Sequence, residues 1–200
     1  MIKRLAAAAL ILGATVAPAF AHLDPAGHGS FMAGVSHPLF GLDHILAMVA
    51  VGLWAALLAQ TGDRRAVWLV PTAFVVTMTA GFAVALAGLG LPFVEPVIAA
   101  SVVVIGLLAL VALQVPIAVG MVMVGFFAFF HGDAHGAELG EAGALAFCVG
   151  FAVSTAFLHA LGVAAGLGLG RIAGGSAGRL VTRIAGGLTA LGGLWLVTGS

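Results

Sequence analysis

Six long apolar segments run through this chain, and each is long enough to cross a lipid bilayer as a helix. About 20 residues rising 1.5 Å each span the roughly 30 Å of hydrocarbon. Only 7% of the 200 residues are charged, whereas a soluble domain has about 25%, so the chain cannot cover a water-facing surface. The sequence predicts an all-α, polytopic membrane protein whose six-helix bundle has spans near 38–60, 66–88, 93–113, 116–135, 143–169 and 180–198.

The first 21 residues have the pattern of a cleavable secretory signal. Lys3 and Arg4 precede a short apolar core, and Ala19-Phe20-Ala21 matches a small-x-small cleavage site. The apolar core is short for a membrane span, although an uncleaved first helix is the alternative. We therefore predict a signal peptide over 1–21, followed by a single transmembrane domain over 22–200 that begins outside the cytoplasm.

The arginines are placed asymmetrically with respect to the predicted spans. If the mature chain begins outside, the connections at 61–65, 114–116 and 170–179 face the cytoplasm. Most of the arginines lie in these connections, namely Arg64, Arg65, Arg171 and Arg179. No Lys or Arg lies in a predicted outer loop, as the positive-inside rule requires. This predicts a multi-pass protein of the bacterial inner membrane with both mature termini in the periplasm.

Composition excludes several classes of function. Formal net charge is zero and there is no basic tract, so nucleic acid is not an expected partner. The single cysteine, Cys148, rules out an intrachain disulfide and a multi-cysteine metal site. The GxxxxGK[ST] pattern is missing and the inner connections are too short for an ATPase domain. Any energy source must therefore be a gradient or another protein.

Ionisable residues inside the apolar segments mark a candidate site. Pro38 suits the first turn of the first span, and His37, His44 and Met48 then share one stripe of a continuous helix. His37 and His44 would be about 10 Å apart along its axis, as successive stations rather than one site. Asp43 would support a histidine or face a neighbouring helix. Such groups usually mark an ion pathway; helix capping and structural hydrogen bonding are the alternative.

A second group of donors ends the fourth segment, in FFHGDAHGAELGE. Spacings of four and three would place His131, His135 and Glu138 on one helix face. Two imidazoles and a carboxylate in that arrangement can hold one divalent ion. Gly132 and Gly136 favour unwinding of the helix instead, so a polar outer loop that happens to contain histidine is the alternative.

Three further histidines are candidates. His159 lies on a polar stripe with Thr155 that should face the bundle interior, either as a ligand or as a hydrogen-bond partner across helices. Cleavage after Ala21 would make His22 the N-terminal residue, whose amine and imidazole form a chelate, and His28 follows as another outer donor. Histidine with carboxylate suits Ni²⁺, Co²⁺, Cu²⁺ or Zn²⁺.

The string HPxxGxDH, from His37 to His44 and running on to Met48 and Gly52, resembles the signature of the HupE/UreJ family. HGDAHGAE is similar to the second histidine-rich motif of that family, and the resemblance covers nearly the whole chain. It implies uptake of nickel, and in some members cobalt, for hydrogenase or urease maturation. It also implies a metal-handling role for His37, Asp43, His44, His131, His135 and Glu138.

The sequence therefore predicts a permease, not an enzyme, which carries Ni²⁺ or Co²⁺ and has no permanently bound cofactor. The expected metal residues are His37, Asp43, His44, Met48, His131, His135, Glu138 and His159, with His22 and His28 gathering the ion outside. Expected partners are Ni²⁺ and the lipid bilayer. Homo-oligomerisation and contact with metallochaperones or maturation proteins are left open. One alternative is an intramembrane zinc-dependent hydrolase, in which three histidines hold Zn²⁺ and Asp43 or Glu138 is the base for the bound water, with Ser36 and Ser154 close to histidines. The other is a metal-binding assembly factor that does not transport.

Overall fold

The computed structural model describes residues 30–137, 139 and 143–198, and all regular structure in that part of the chain is helical. The predicted signal peptide and the predicted site residues His22, His28 and Glu138 lie outside the described residues. The described helices are α1 (Ser30–Phe40), α2 (Leu42–Thr61), α3 (Ala66–Leu86), α4 (Val94–Val111), α5 (Ile117–Ala137), α6 (Ala144–Ile172) and α7 (Gly175–Thr198).

Six of these helices, α2 to α7, are long and apolar enough to cross a membrane. The described part of the chain is thus all-α and has the helices of a multi-pass membrane protein, as the apolar segments predict. Helix α1 has 11 residues, which is too short to cross the bilayer by itself. It is an additional element that packs beside the spans.

The predicted continuous first helix is wrong. Helix α1 ends at Phe40 and α2 begins at Leu42, with Gly41 between them in an extended conformation at φ −80° and ψ 115°. Pro38 lies inside α1 instead of in the first turn of a span. Because proline has no N–H to donate to the preceding turn, it weakens α1 close to its end. The chain therefore changes direction within the HPxxGxDH motif.

The predicted inner loop over 170–179 is also wrong, because most of it is helical. Helix α6 continues to Ile172 and α7 begins at Gly175. Gly174 has a φ of +79°, the left-handed conformation that commonly ends a helix. Gly178 lies against the backbone of Leu169, where a Cβ atom would collide. The glycines here permit a tight turn between two helices rather than a long loop.

Helix α2 is the centre of the bundle and contacts α1, α3, α4, α6 and α7. Met48, Val51, Trp54 and Leu57 of α2 are all fully buried. The Trp54 indole N–H donates to the carbonyl of Leu113 at 3.0 Å, so its one polar atom is paired. The other close pairs are α3 with α5, α4 with α7 and α1 with α6.

Glycines lie where helices pack most closely. A Cβ atom on Gly52 would collide with the backbone of α6, and one on Gly162 would collide with the backbone of α2. Three other helix pairs show the same reciprocal contact, through Gly34 and Gly150, Gly81 and Gly132, and Gly106 and Gly186. In a membrane, close backbone packing is a main source of helix association. These contacts fix the helices that carry the histidines.

The two ends of the bundle differ in charge. His44 lies in the first turn of α2, and Arg64 and Arg65 lie just beyond the other end of this helix. A helix of this length is roughly 30 Å long. Arg171 ends α6 at the arginine end, and Arg179 lies in the first turns of α7. The bundle therefore has a histidine end and an arginine end.

Candidate metal site

Three histidines from three helices converge at one end of the bundle. His37 is in the last turn of α1, His44 in the first turns of α2 and His135 in the last turn of α5. One ring nitrogen from each lies within 4.8 Å of the others, and the Nε2 atoms of His44 and His135 are 2.6 Å apart. Imidazole nitrogens bind a divalent ion such as zinc at about 2.0–2.1 Å. Small side-chain movements would bring all three onto one ion.

The turn at Gly41 produces this convergence. The expectation that His37 and His44 are separate stations on one helix is wrong, since their ring centroids are 5.0 Å apart. A Cβ atom on Gly41 would lie 2.8 Å from His44 Nδ1 and 3.0 Å from Asp43 Oδ1. A side chain at this position would displace the imidazole or the carboxylate, which gives the glycine of the HPxxGxDH motif a physical reason.

Asp43 lies behind His44, on the side away from His135. Its Oδ1 atom is 2.9 Å from His44 Nδ1, and the Asp43 side chain is 35% exposed whereas that of His44 is 6% exposed. The distance is that of an ion pair, but the ring N–H is not aligned for a full hydrogen bond. A carboxylate there favours a proton on Nδ1 and leaves Nε2 free as a metal ligand. This position fits the expected supporting role of Asp43.

His131 lies one turn before His135 but does not join the three-histidine cluster. It is fully buried, its Nδ1 is 2.9 Å from the carbonyl of Phe127, and its ring is 5.7 Å from that of His44. Its Nε2 has no hydrogen-bond partner among the described residues. The structure therefore separates His131 from His135, which were predicted to form one group with Glu138. The His135 side chain lies beside His37 of α1 and His44 of α2, whereas His131 lies deeper in the bundle.

His159 of α6 lies deeper still and is 1% exposed. Neither of its ring nitrogens has a hydrogen-bond partner among the described residues, so the alternative of a structural hydrogen bond across helices is not met. Thr155, one turn earlier, contacts the Met78 sulfur at 3.7 Å. Met48 lies in the apolar core around α2, and its role as a ligand stays a prediction.

Two phenylalanines connect these histidines, and neither has a signal in the sequence that sets it apart from other aromatics. The Phe151 ring lies 4.8 Å from that of His135 and close to those of His37 and His44. It therefore forms an apolar side of the three-histidine cluster. The Phe74 ring lies 5.6 Å from His131 and 4.9 Å from His159. Phe74 is fully buried and contacts both deep histidines.

Asp133 is a buried carboxylate that the sequence reading did not single out. It is 1% exposed, and its Oδ2 accepts a hydrogen bond from the Leu91 N–H at 3.1 Å, which ties the α3–α4 connection to α5. Its Oδ1 has no partner among the described residues. Asp133 could have been predicted as a functional residue because it is a charged residue inside an apolar segment.

Comparison with known proteins finds a family and a relative that match most of the chain. The family model described as HupE / UreJ protein matches residues 9–196. The chain is 43% identical over 190 residues to "Protein HupE" of Rhizobium leguminosarum bv. viciae, an alignment that covers 94% of this chain and 95% of that protein. No solved structure matches the chain. The family match includes every described helix that carries a histidine.

Proposed function

Because the chain belongs to the HupE/UreJ family, we propose that it is a permease for Ni²⁺, with Co²⁺ as the alternative ion, that supplies hydrogenase or urease maturation. The observation that carries this proposal is the convergence of His37, His44 and His135, with Asp43 behind His44. Imidazole nitrogen suits Ni²⁺ and Co²⁺. A set of three neutral ligands leaves coordination positions open, so the ion can be released as well as bound.

His131 and His159, which lie deeper in the bundle than the three-histidine cluster, would continue the path of the ion. An unpaired buried polar atom costs about 1–3 kcal/mol, so buried atoms of this kind usually have a reason. Within the described ranges, His131 Nε2 and both ring nitrogens of His159 are such atoms. We infer that the ion passes from the cluster to His131, then past Phe74 to His159. Glu138, His22 and His28 would collect it before it reaches the cluster.

The charge difference between the two ends supports an orientation. The positive-inside rule assigns the arginine end to the cytoplasm. The three-histidine cluster then faces the periplasm of a bacterial inner membrane, and both mature termini lie on that side after cleavage of the signal over 1–21. Nickel would enter at the cluster and leave past His159.

Nickel uptake by proteoliposomes that contain only this protein tests the proposal. We expect uptake well above that of empty liposomes, and a fall to the empty level for His44→Ala and His135→Ala. Asp63→Asn is the matched control, since Asp63 is exposed at the other end of the bundle and pairs with Arg65. Wild-type uptake no faster than that of empty liposomes would overturn the proposal.

A zinc hydrolase is the second candidate, because three convergent histidines with an open position are also the ligand set of such enzymes. Its base would be Asp43, beside His44, or Glu138, acting on the zinc-bound water. Ser36 and Ser154 donate to carbonyls of their own helices, those of Ala33 at 3.0 Å and Gly150 at 3.2 Å. Cleavage of a membrane-embedded peptide by the zinc-loaded protein, without nickel uptake, would favour the hydrolase. Nickel binding without uptake or cleavage would favour an assembly factor.

A further inference from the structure

A cavity of about 700 Å³ lies at the arginine end of the bundle. Its wall comes from the adjoining ends of α2 and α3 with their connection, and from the adjoining ends of α6 and α7, two parts of the fold that are far apart in the chain. Arg64, Arg171 and Arg179 all line it. Its volume lies within the range of pockets that hold small organic ligands, about 300–1,000 Å³.

No acidic residue in the part of the chain that the structure describes neutralises the positive charge of this cavity. Asp63 is the nearest acid in sequence, but both of its carboxylate oxygens accept hydrogen bonds from Arg65, at 2.6–2.9 Å. The Arg65 guanidinium also lowers the pKa of that carboxyl. Among the residues that the structure describes, Arg64, Arg171 and Arg179 form no ion pair. Three guanidinium groups therefore surround one concavity without a counter-charge.

The same cavity has an apolar side. Val67, Trp68 and Leu167 line it together with the arginines, and Trp68 is 75% exposed. An exposed tryptophan in the first turn of a transmembrane helix is typical of the level of the lipid headgroups. Gly170 and Gly175 also line the cavity and contribute no side chain to fill it.

We propose that this cavity is a binding site for a phosphate-bearing anion. Guanidinium groups bind phosphate oxygens through paired hydrogen bonds, and three of them can surround a single phosphate. The apolar wall and the place at the end of the helices suit the phosphodiester of an anionic phospholipid, while a free phosphate shares the same chemistry. The positive-inside rule puts arginines in cytoplasmic loops, but it does not require arginines from two distant parts of the chain to line one cavity that has no acidic residue in its wall.

The test measures lipid retention by the purified full-length protein in detergent, using native mass spectrometry and titration with phosphatidylglycerol or phosphatidylcholine. We expect preferential binding of phosphatidylglycerol, weakened about fivefold for each arginine changed to glutamine and roughly 100-fold for Arg64→Gln, Arg171→Gln and Arg179→Gln together. Arg183→Gln is the control, because Arg183 is also near this end but donates to the carbonyl of Leu110 at 2.8 Å and is not part of the cavity wall.

A second arm distinguishes the sources of the phosphate group. Inorganic phosphate is compared with chloride at constant ionic strength by the melting temperature of the wild type and the triple variant. Stabilisation of the wild type alone, without preference for phosphatidylglycerol, identifies a free phosphate as the occupant. Equal binding by the wild type and the triple variant, or a loss in Arg183→Gln as large as in Arg171→Gln, overturns the proposal. If the triple variant does not fold, Arg171→Gln and Arg179→Gln, at two exposed positions, carry the same comparison singly.

Discussion

His44 on α2 and His135 on α5 are 91 residues apart in the chain, yet their Nε2 atoms lie 2.6 Å apart. Two neutral imidazoles can share this contact only if one Nε2 carries a proton and the other accepts it. With Asp43 beside His44 Nδ1, His44 keeps its proton there and accepts from His135. An ion bound by both Nε2 atoms would require His135 to carry its proton on Nδ1 instead. The contact thus identifies where a metal ion can replace a hydrogen bond.

The first prediction concerns the coupling of these two histidines. His44→Ala and His135→Ala should each weaken nickel binding at least tenfold, and the double variant should lose little more than either single variant. The reason is that ligands of one ion act together, so their effects are not additive. Calorimetric titration of nickel into the purified protein measures this. Fully additive losses would mean that the two histidines bind separate ions.

The second prediction concerns Asp43. Asp43→Asn keeps the size of the side chain but removes the charge beside His44 Nδ1, so nickel affinity should fall by about 10–100-fold, as for other residues that orient a metal ligand. The melting temperature should change little, since Asp43 is partly exposed. Asp63→Asn is the charge-matched control. An unchanged affinity in Asp43→Asn would show that the carboxylate does not orient His44.

The sequence predicts the helices much better than the site. Each apolar segment is a local pattern, and the positions of glycine within it predict close packing. The break between α1 and α2 at Gly41 cannot be predicted from the local sequence, because an isolated glycine also occurs inside helices. The division between His131 and His135 depends on how α5 is rotated about its own axis where it packs against α3 and α4. Only the packed bundle determines that rotation.

The phenylalanines show the same limit. Phe74 and Phe151 are two of 13 phenylalanines in the chain, and no spacing sets them apart. Phe74 contacts His131 because α3 packs against α5, and Phe151 contacts His37 and His44 because α6 packs against α1 and α2. In contrast, a charged or imidazole group in an apolar segment stands out, because burying it costs free energy.

The third prediction separates capture of the ion from its passage. His159→Ala should leave nickel binding at the cluster unchanged while the maximal rate of uptake falls at least tenfold, because the change removes a buried station beyond Phe74. His22→Ala with His28→Ala should instead raise the nickel concentration needed for half-maximal uptake, and excess nickel should restore the rate. Initial uptake rates over a wide nickel range measure both. An unchanged maximal rate in His159→Ala would remove this residue from the path.

The fourth prediction concerns the glycine contact between α2 and α6. Gly162→Ala places a Cβ atom against the backbone of Val49 and Gly52, so it should destabilise the protein by about 1–3 kcal/mol, as overpacking does. Gly168→Ala is the matched control on the same helix, because a Cβ atom there meets nothing within 4 Å. Melting temperature in detergent measures the difference. Equal melting temperatures would mean that α2 and α6 do not pack through Gly162.

The central claim is that His37, His44 and His135 bind one nickel ion together, and nickel K-edge X-ray absorption tests it most directly. The spectrum of the nickel-loaded protein reports how many imidazoles surround the metal. We predict three imidazoles for the wild type and two for His135→Ala at equal nickel occupancy. A wild-type spectrum with oxygen ligands alone, or an imidazole number that does not change in His135→Ala, would contradict the account.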